Sequence, residues 1–186
     1  MTELVRTGAH DVALHLLVLR CQTGDERAFE LLMHRFAPKT LAYLRGLVGQ
    51  DADDVQQDVW LAVYRSLRSV ANPGAFRTWL FRTTRHRAMD HLRRRKRDTE
   101  LLDETPVEDL ADVRTSETEE TVDGAMLDRA LDAIPPPQRE VLLLRYRDDL
   151  SYAEIALVVG IPIGTVRTRL HHAKRRLHEL LERGSI

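Results

Sequence analysis

The sequence is short of several things, and each shortage excludes a class of protein. A single cysteine, Cys21, stands among 186 residues. It can close no internal disulfide, and with no CxxC partner it does not mark a structural zinc site. In an apolar helical segment such a residue reads as a small core side chain, with redox sensing as the other reading. Uninterrupted apolar runs are only a few residues long, far below the ~20 that span a bilayer, so membrane insertion is excluded. The first ten residues lack an apolar stretch followed by a small-residue cleavage site. The cytoplasm is therefore the expected compartment. There is no nucleophile elbow, no glycine-rich phosphate cradle and no carboxylate pair set in a plausible pocket, which favours a binding protein over an enzyme. His171 and His172 are adjacent and cannot both face one ion from a helix, and His86 and His91 are five apart rather than four, so neither metal nor cofactor is expected.

Net charge is also nearly absent: 28 basic against 29 acidic residues leave −1. That total hides a sorting along the chain. From Arg77 to Arg97 there are nine basic residues and one acid, a local net of +8. From Asp98 to Asp123 there are eleven acids and one base, a net of −10. From Ile163 to Arg183 six bases face two acids, with three histidines among them. Like-charge blocks often form solvated faces or tails, but two basic stretches on helices are also the electrostatic footprint of phosphate-backbone binding.

Helical periodicity dominates and no alternating run marks a strand, so the expected class is all-α. After a tail over 1–10, a first helix spans Asp11 to Gln22. A second starts at Asp25, carries Ala28, Phe29, Leu32 and Phe36 on one face, and is ended or kinked by Pro38 before Leu41 to Val48 resumes. Asp51 to Ser69 makes a third, with Val55, Val59, Ala62, Val63 and Leu67 as its core stripe and Asp51, Asp53, Asp54 and Asp58 at its dipole-positive end. After the turn Asn72-Pro73-Gly74, a fourth helix runs from about Ala75 into the basic run Arg93 to Arg97. Residues 98–123, acidic and poor in large apolar side chains, read as a flexible linker with ends on the order of 30 Å apart. The two flanking domains, 11–97 and 124–186, are then free to occupy separate sites.

In the second domain Ala125 to Ala133 is helical, Pro135-Pro136-Pro137 pre-sets the helix Gln138 to Arg147, and Ser151-x-x-Glu154 is a capping box for a short helix ending near Gly160. A long last helix follows from about Ile163. Two helices joined by a three- or four-residue turn containing glycine match the helix-turn-helix, whose second helix enters the DNA major groove. In that helix Val166, Leu170, Ala173, Leu177 and Leu180 share the packing face. Gly164, Thr168, His171, His172 and Arg175 lie opposite, flanked by Arg167, Arg169 and Lys174. Arginine and lysine there can hold phosphates or guanine edges, while threonine and histidine make shorter base contacts.

Three separated stretches carry a family resemblance: Asp51-Ala-Asp-Asp-Val-Gln-Gln-Asp-Val-Trp60; Phe76-Arg-Thr-Trp-Leu-Phe-Arg-Thr-Thr-Arg-His-Arg-Ala-Met-Asp-His-Leu-Arg-Arg-Arg95; and Ile134-Pro-Pro-Pro-Gln-Arg-Glu-Val-Leu-Leu-Leu-Arg-Tyr146 through Ser151-Tyr-Ala-Glu-Ile155 to Ile161-Pro-Ile-Gly-Thr-Val-Arg-Thr-Arg-Leu-His-His-Ala173. In this order they resemble the extracytoplasmic-function sigma factors of bacteria, which keep two conserved domains, regions 2 and 4, joined by a variable linker. The resemblance implies a specificity subunit that binds core RNA polymerase, directs it to promoters and helps melt the minus-ten element, without a catalytic site of its own. It implies that Asp54, Gln57 and Asp58 dock on the β′ clamp helices. Trp79 would prop open the duplex, its other reading being a core tryptophan. Thr83, His86 and Arg87 would contact minus-ten bases, the loop Ser69 to Ala75 would take a flipped base, and Arg93, Arg94 and Arg95 would clamp phosphates. Many relatives carry Asn where this chain has His86, which offers a different donor and acceptor pattern to the minus-ten bases. The resemblance further implies that Arg167, Thr168, His171 and His172 contact the minus-thirty-five element, with Gly164, Thr165, Arg169, Lys174 and Arg175 counted in the same site, that Gln138 to Tyr146 faces the β flap, and that an anti-sigma factor is a further partner. A stand-alone helix-turn-helix regulator is the alternative from another class, but it leaves the Asp51 and Trp79 helices without a role. A sigma-like adaptor that binds polymerase without supporting initiation also stays open.

Overall fold

A computed structural model describes residues 2–102 and 122–184; the greater part of the expected linker lies outside the described residues. Among these residues every regular element is helical, as the periodicity implied. The helices are α1 (Thr2–Gln22), α2 (Glu26–Val48), α3 (Ala52–Ser66), α4 (Phe76–Leu102), α5 (Val122–Asp132), α6 (Pro136–Tyr146), α7 (Tyr152–Val159) and α8 (Ile163–Gly184).

The first four form one bundle. Apolar stripes from α1 (Leu14, Val18), α2 (Leu32, Phe36, Leu44), α3 (Val55, Val59, Val63) and α4 (Phe76, Leu80, Ala88) meet in a single core. Cys21 lies in this core, and burial pushes its thiol above the ordinary cysteine range, which disfavours the thiolate. Three boundaries differ from expectation: α4 continues helical to Leu102, into the stretch read as linker from 98, and the other two lie in α1 and α2. Helix α1 begins at Thr2, over the stretch read as a tail. Helix α2 runs through Pro38 as one element because residues on both sides, Phe36 before and Tyr43 and Leu44 after, are buried. That packing outweighs the roughly 3 kcal/mol that an interior proline costs. Nearby, Thr40 Oγ1 donates to the Phe36 and Ala37 carbonyls, both at 3.1 Å, and Gln56 Nε2 from α3 donates to Ala37 O at 3.0 Å.

The last four helices make a smaller domain around Ile134, Val141, Leu144, Ile155, Val158, Val166 and Leu170. Its helix-turn-helix is built as the sequence implied. Ser151 Oγ accepts from Glu154 N and Glu154 Oε2 accepts from Ser151 N, the reciprocal capping box. Gly160 closes α7 at φ +75°, a left-handed conformation that costs glycine little.

The two domains are not separate. The core of the second domain closes over Tyr43 from α2 and Phe81 from α4, whose rings meet edge to face 5.6 Å apart. Around them run polar contacts from one domain to the other. Tyr43 and Arg85 both donate to Glu140 Oε1, at 2.7 and 2.9 Å. Thr78 Oγ1 donates to Glu154 Oε1 at 2.9 Å, and Arg77 donates to the Asp148 carbonyl. Helix α6, expected to face the polymerase β flap, here packs its Glu140 side against the first domain.

Candidate nucleic-acid interface

Three surfaces gather the candidate residues. On α3, Asp54, Gln57 and Asp58 project into solvent while Val55, Val59 and Val63 hold the opposite side in the core. At 100° per residue Leu61 shares their stripe and Tyr64 flanks it. Both are exposed, 52% and 61%, and neither was singled out from sequence. The signal was present, since both lie off the core stripe of that helix. Tyr64 is steadied by Phe29, 5.2 Å away and edge to face.

Asp51, one of the acids read as dipole caps, has a more specific partner set. Its Oδ2 accepts from His91 Nε2 at 2.9 Å and from Arg95 at 3.2 Å, tying the start of α3 to the basic half of α4. The His91 hydrogen bond, then the charges of His91 and Arg95, hold its carboxyl below the ordinary aspartate range.

On α4, His86, Arg93, Arg94 and Arg95 are exposed and Thr83 and Arg87 are half-buried. Trp79 is half-buried as well, its ring 5.9 Å from that of Phe76 at the edge of the first core. The ring is thus anchored on one side and open on the other. By helical projection Trp79, His86 and Arg93 cluster about 140° from the Arg77–Phe81–Arg85 stripe that meets the second domain. The expected reading face is therefore left open by the docking of the domains. Before the helix, Asn72 Oδ1 accepts from Gly74 N at 3.0 Å and shapes a turn in which Ser69, Ala71, Asn72 and Gly74 are exposed.

On α8, Val166, Leu170 and Ala173 are buried and Leu177 and Leu180 pack at the edge of the same core. Gly164, Arg167, Thr168, His171, Lys174 and Arg175 are exposed, and Thr165, Arg169 and His172 half-exposed. Lys174 Nζ lies 4.9 Å from the centre of the Tyr146 ring, and its contact with that phenol raises the ammonium pKa. Among the described residues no group of three or more His, Cys, Asp or Glu side chains is placed to hold a metal ion, and no helix is long and apolar enough to cross a membrane.

The chain matches the family described as Sigma-70 region 2 over residues 32–98 and that described as Sigma-70, region 4 over residues 124–177. It is 34% identical over 179 residues to the RNA polymerase sigma-H factor of Pseudomonas aeruginosa, covering 89% of this chain and 92% of that one. The chain belongs to the extracytoplasmic-function sigma factors. It is 31% identical over 173 residues to the ECF RNA polymerase sigma-E factor of Escherichia coli K12, across 87% of this chain and 91% of the relative. Among known structures it is similar to RpoE of Bartonella quintana in complex with the anti-sigma factor NepR, with TM-score 0.66, 26% identity and coverage of 83% and 96% of the two chains. It is also similar to CnrH in complex with the cytosolic domain of CnrY, with TM-score 0.63, 27% identity and coverage of 91% and 97%. As a sigma factor it is a specificity subunit of RNA polymerase, and core polymerase and promoter DNA are its partners. The region 2 match lies within α2–α4 of the first bundle, and the region 4 match within the α5–α8 domain.

Proposed function

We propose that three faces divide the work of this sigma factor: α3 binds polymerase, α4 with the turn before it opens and reads the minus-ten element, and α8 reads the minus-thirty-five element. The observation that supports this best is that Asp54, Gln57 and Asp58, then His86, Arg93 and Arg94, then Arg167, Thr168 and His171 all project outward from helices whose apolar residues are buried.

Chemistry gives each face its role. The α3 face offers two carboxylates and an amide beside Leu61 and Tyr64, an anion-rimmed apolar patch suited to basic helices such as the β′ clamp. On α4 the half-open Trp79 ring can stack on an unpaired base, Thr83, His86 and Arg87 offer hydrogen bonds to base edges, and the turn Ser69 to Ala75 takes the flipped base. Arg93 and Arg94 add phosphate contacts. Arg95 adds less, because Asp51 already holds it. On α8 the N-terminal half, Gly164 to His171, points into the major groove, while Lys174 and Arg175 reach the backbone and His172 borders them.

The chain supplies recognition and leaves bond-making to the polymerase, and it acts in the cytoplasm beside the chromosome. An anti-sigma factor is a further partner in this reading, supported by the likeness to RpoE in its complex with NepR. The test is a pair of titrations of the Asp54→Lys, Asp58→Lys double variant. Affinity for core polymerase is expected to fall at least tenfold with affinity for a minus-thirty-five duplex unchanged. Equal loss on both, or loss on neither, overturns the assignment of α3.

A further inference from the structure

The turn from Ser69 to Ala75 is held by a helix that lies outside both matched family stretches. Region 2 is matched over residues 32–98, whereas α1 ends at Gln22. Across that gap in sequence, Gln22 Nε2 donates to Leu67 O at 3.1 Å and to Val70 O at 2.8 Å. Leu67 and Val70 are anchored in the first core by buried side chains, so their carbonyls lie close to the interior, where a backbone acceptor needs a partner. One amide nitrogen carries two hydrogens, and these two acceptors use both.

The rest of the turn shows what this hold controls. Past Val70, Ala71 and Asn72 stand exposed. The far end is closed by the turn's own residues: Asn72 Oδ1 accepts from Gly74 N and Asn72 O accepts from Ala75 N, both at 3.0 Å. The near end is closed by Val70 N donating to Leu67 O at 3.2 Å and, from another helix, by Gln22. The pair of bonds from Gln22 therefore sets where residues 71–73 stand against the bundle. Helix α1 meets the far end too. His15, seven residues before Gln22 and about 20° from it around the helix, lies half-buried against Gly74, where an added Cβ would come within 3.5 Å of its Nδ1. Arg68 returns the contact, its Nη2 within 3.4 Å of a Cβ built on Gly24, just after α1.

We propose that Gln22 is a positioning residue for minus-ten recognition: through its two hydrogen bonds α1 sets the shape of the turn that takes the flipped base, and with it which base fits. This rests on the reading of that turn given above. Gln22 touches no DNA in this role and acts through the carbonyls of Leu67 and Val70. A site that tells one base from another must hold its groups to within about 0.5 Å, so a released turn loses selectivity while the phosphate contacts of α4 remain.

Two variants of the full chain test it. Gln22→Met keeps the length and helix preference of the side chain and removes both donors. Gln22→Glu keeps its shape and, at neutral pH, turns an acceptor toward the two carbonyls. Circular dichroism and binding of a minus-thirty-five duplex check the fold. Fluorescence anisotropy is then read on forks whose unpaired minus-ten strand carries each of the four bases, or an abasic site, at each position in turn. The wild type is expected to prefer one base at the flipped position and to bind the abasic fork more weakly. Gln22→Met should shrink that preference about fivefold, the worth of a net hydrogen bond, and Gln22→Glu by more, with the abasic fork and the duplex bound as by wild type. Variants that discriminate as wild type does, or that lose the same factor on every fork including the abasic one, overturn the role of Gln22 and leave the turn as a base site. If both variants lose the fold, Gln22 is a structural residue and the proposal falls; if only Gln22→Glu does, Gln22→Met decides. A wild type indifferent to the base at every position overturns the reading of the turn itself, and the proposal with it.

Discussion

Tyr43 donates its phenolic hydrogen to Glu140 at 2.7 Å, joining a helix of the first domain to one of the second across 97 residues of sequence. Burial, reinforced by the charge on Glu140, pushes the Tyr43 phenol well above its ordinary pKa. The hydroxyl therefore stays protonated and available to donate at physiological pH. This one bond ties α2 of the first domain to α6 of the second.

Tyr43→Phe removes only the hydroxyl and leaves Glu140 with Arg85. It is expected to destabilise the wild-type protein by about 1 kcal/mol, read by denaturant unfolding at pH 7.5. A double-mutant cycle with Glu140→Gln should show that most of this loss is shared. Fully additive effects would contradict the bond.

Ser151→Ala breaks the capping box and should cost about 1 kcal/mol of stability. Because Glu154 also accepts from Thr78, part of the loss should appear as weaker domain docking. Minus-thirty-five duplex binding, measured by anisotropy, should fall through the fraction of unfolded molecules alone.

His171 and Arg94 are expected to fail differently. His171→Ala should alter which minus-thirty-five sequences are selected from a randomised pool. Arg94→Ala should weaken all promoters alike and reduce the slope of log affinity against log salt by roughly one. Equal loss on every promoter for both variants would remove base reading by His171.

Asp148 should give the protein a pH signature. Burial pushes its carboxyl above the ordinary aspartate range against the pull of Arg147, Lys39 and Arg77, and its Oδ1 has no hydrogen-bond partner. With the folded pKa raised above the unfolded one, the folded state binds the proton more tightly. Ionised Asp148 then costs stability at neutral pH, a cost relieved as pH falls through the raised pKa toward about 4. Asp148→Asn should therefore melt higher than wild type at pH 7.5, with the advantage shrinking at pH 5. A difference independent of pH would contradict this.

Local signals made most of the fold legible in the sequence. The stripes Val55-Val59-Val63 and Val166-Leu170-Ala173 are buried as their spacing requires, and Ser151 and Glu154 cap α7 as their spacing requires. Pro38 does not end α2, because a local rule was outweighed by contacts distant in sequence. The candidate faces were legible as exposed sides of helices, but Leu61 and Tyr64 carry no charge to mark them, and only their place off the core stripe of α3 leaves them exposed. Asp51 is an acid at a helix start in sequence terms; that it holds His91 and Arg95 depends on how α3 lies against α4. The domain contact was illegible for the same reason. Phe81 and Thr78 sit beside the core stripe of α4, and nothing local says that Glu140, 55 residues beyond Arg85, comes back to meet that side.

The central claim, that this chain confers promoter recognition on polymerase through its two domains, is tested most directly by reconstituted transcription. Purified full chain with core RNA polymerase, on a library of genomic promoter fragments, should yield transcripts from a restricted set sharing minus-ten and minus-thirty-five sequences, and core alone should yield none of them. No promoter-dependent transcript from any fragment would contradict the account.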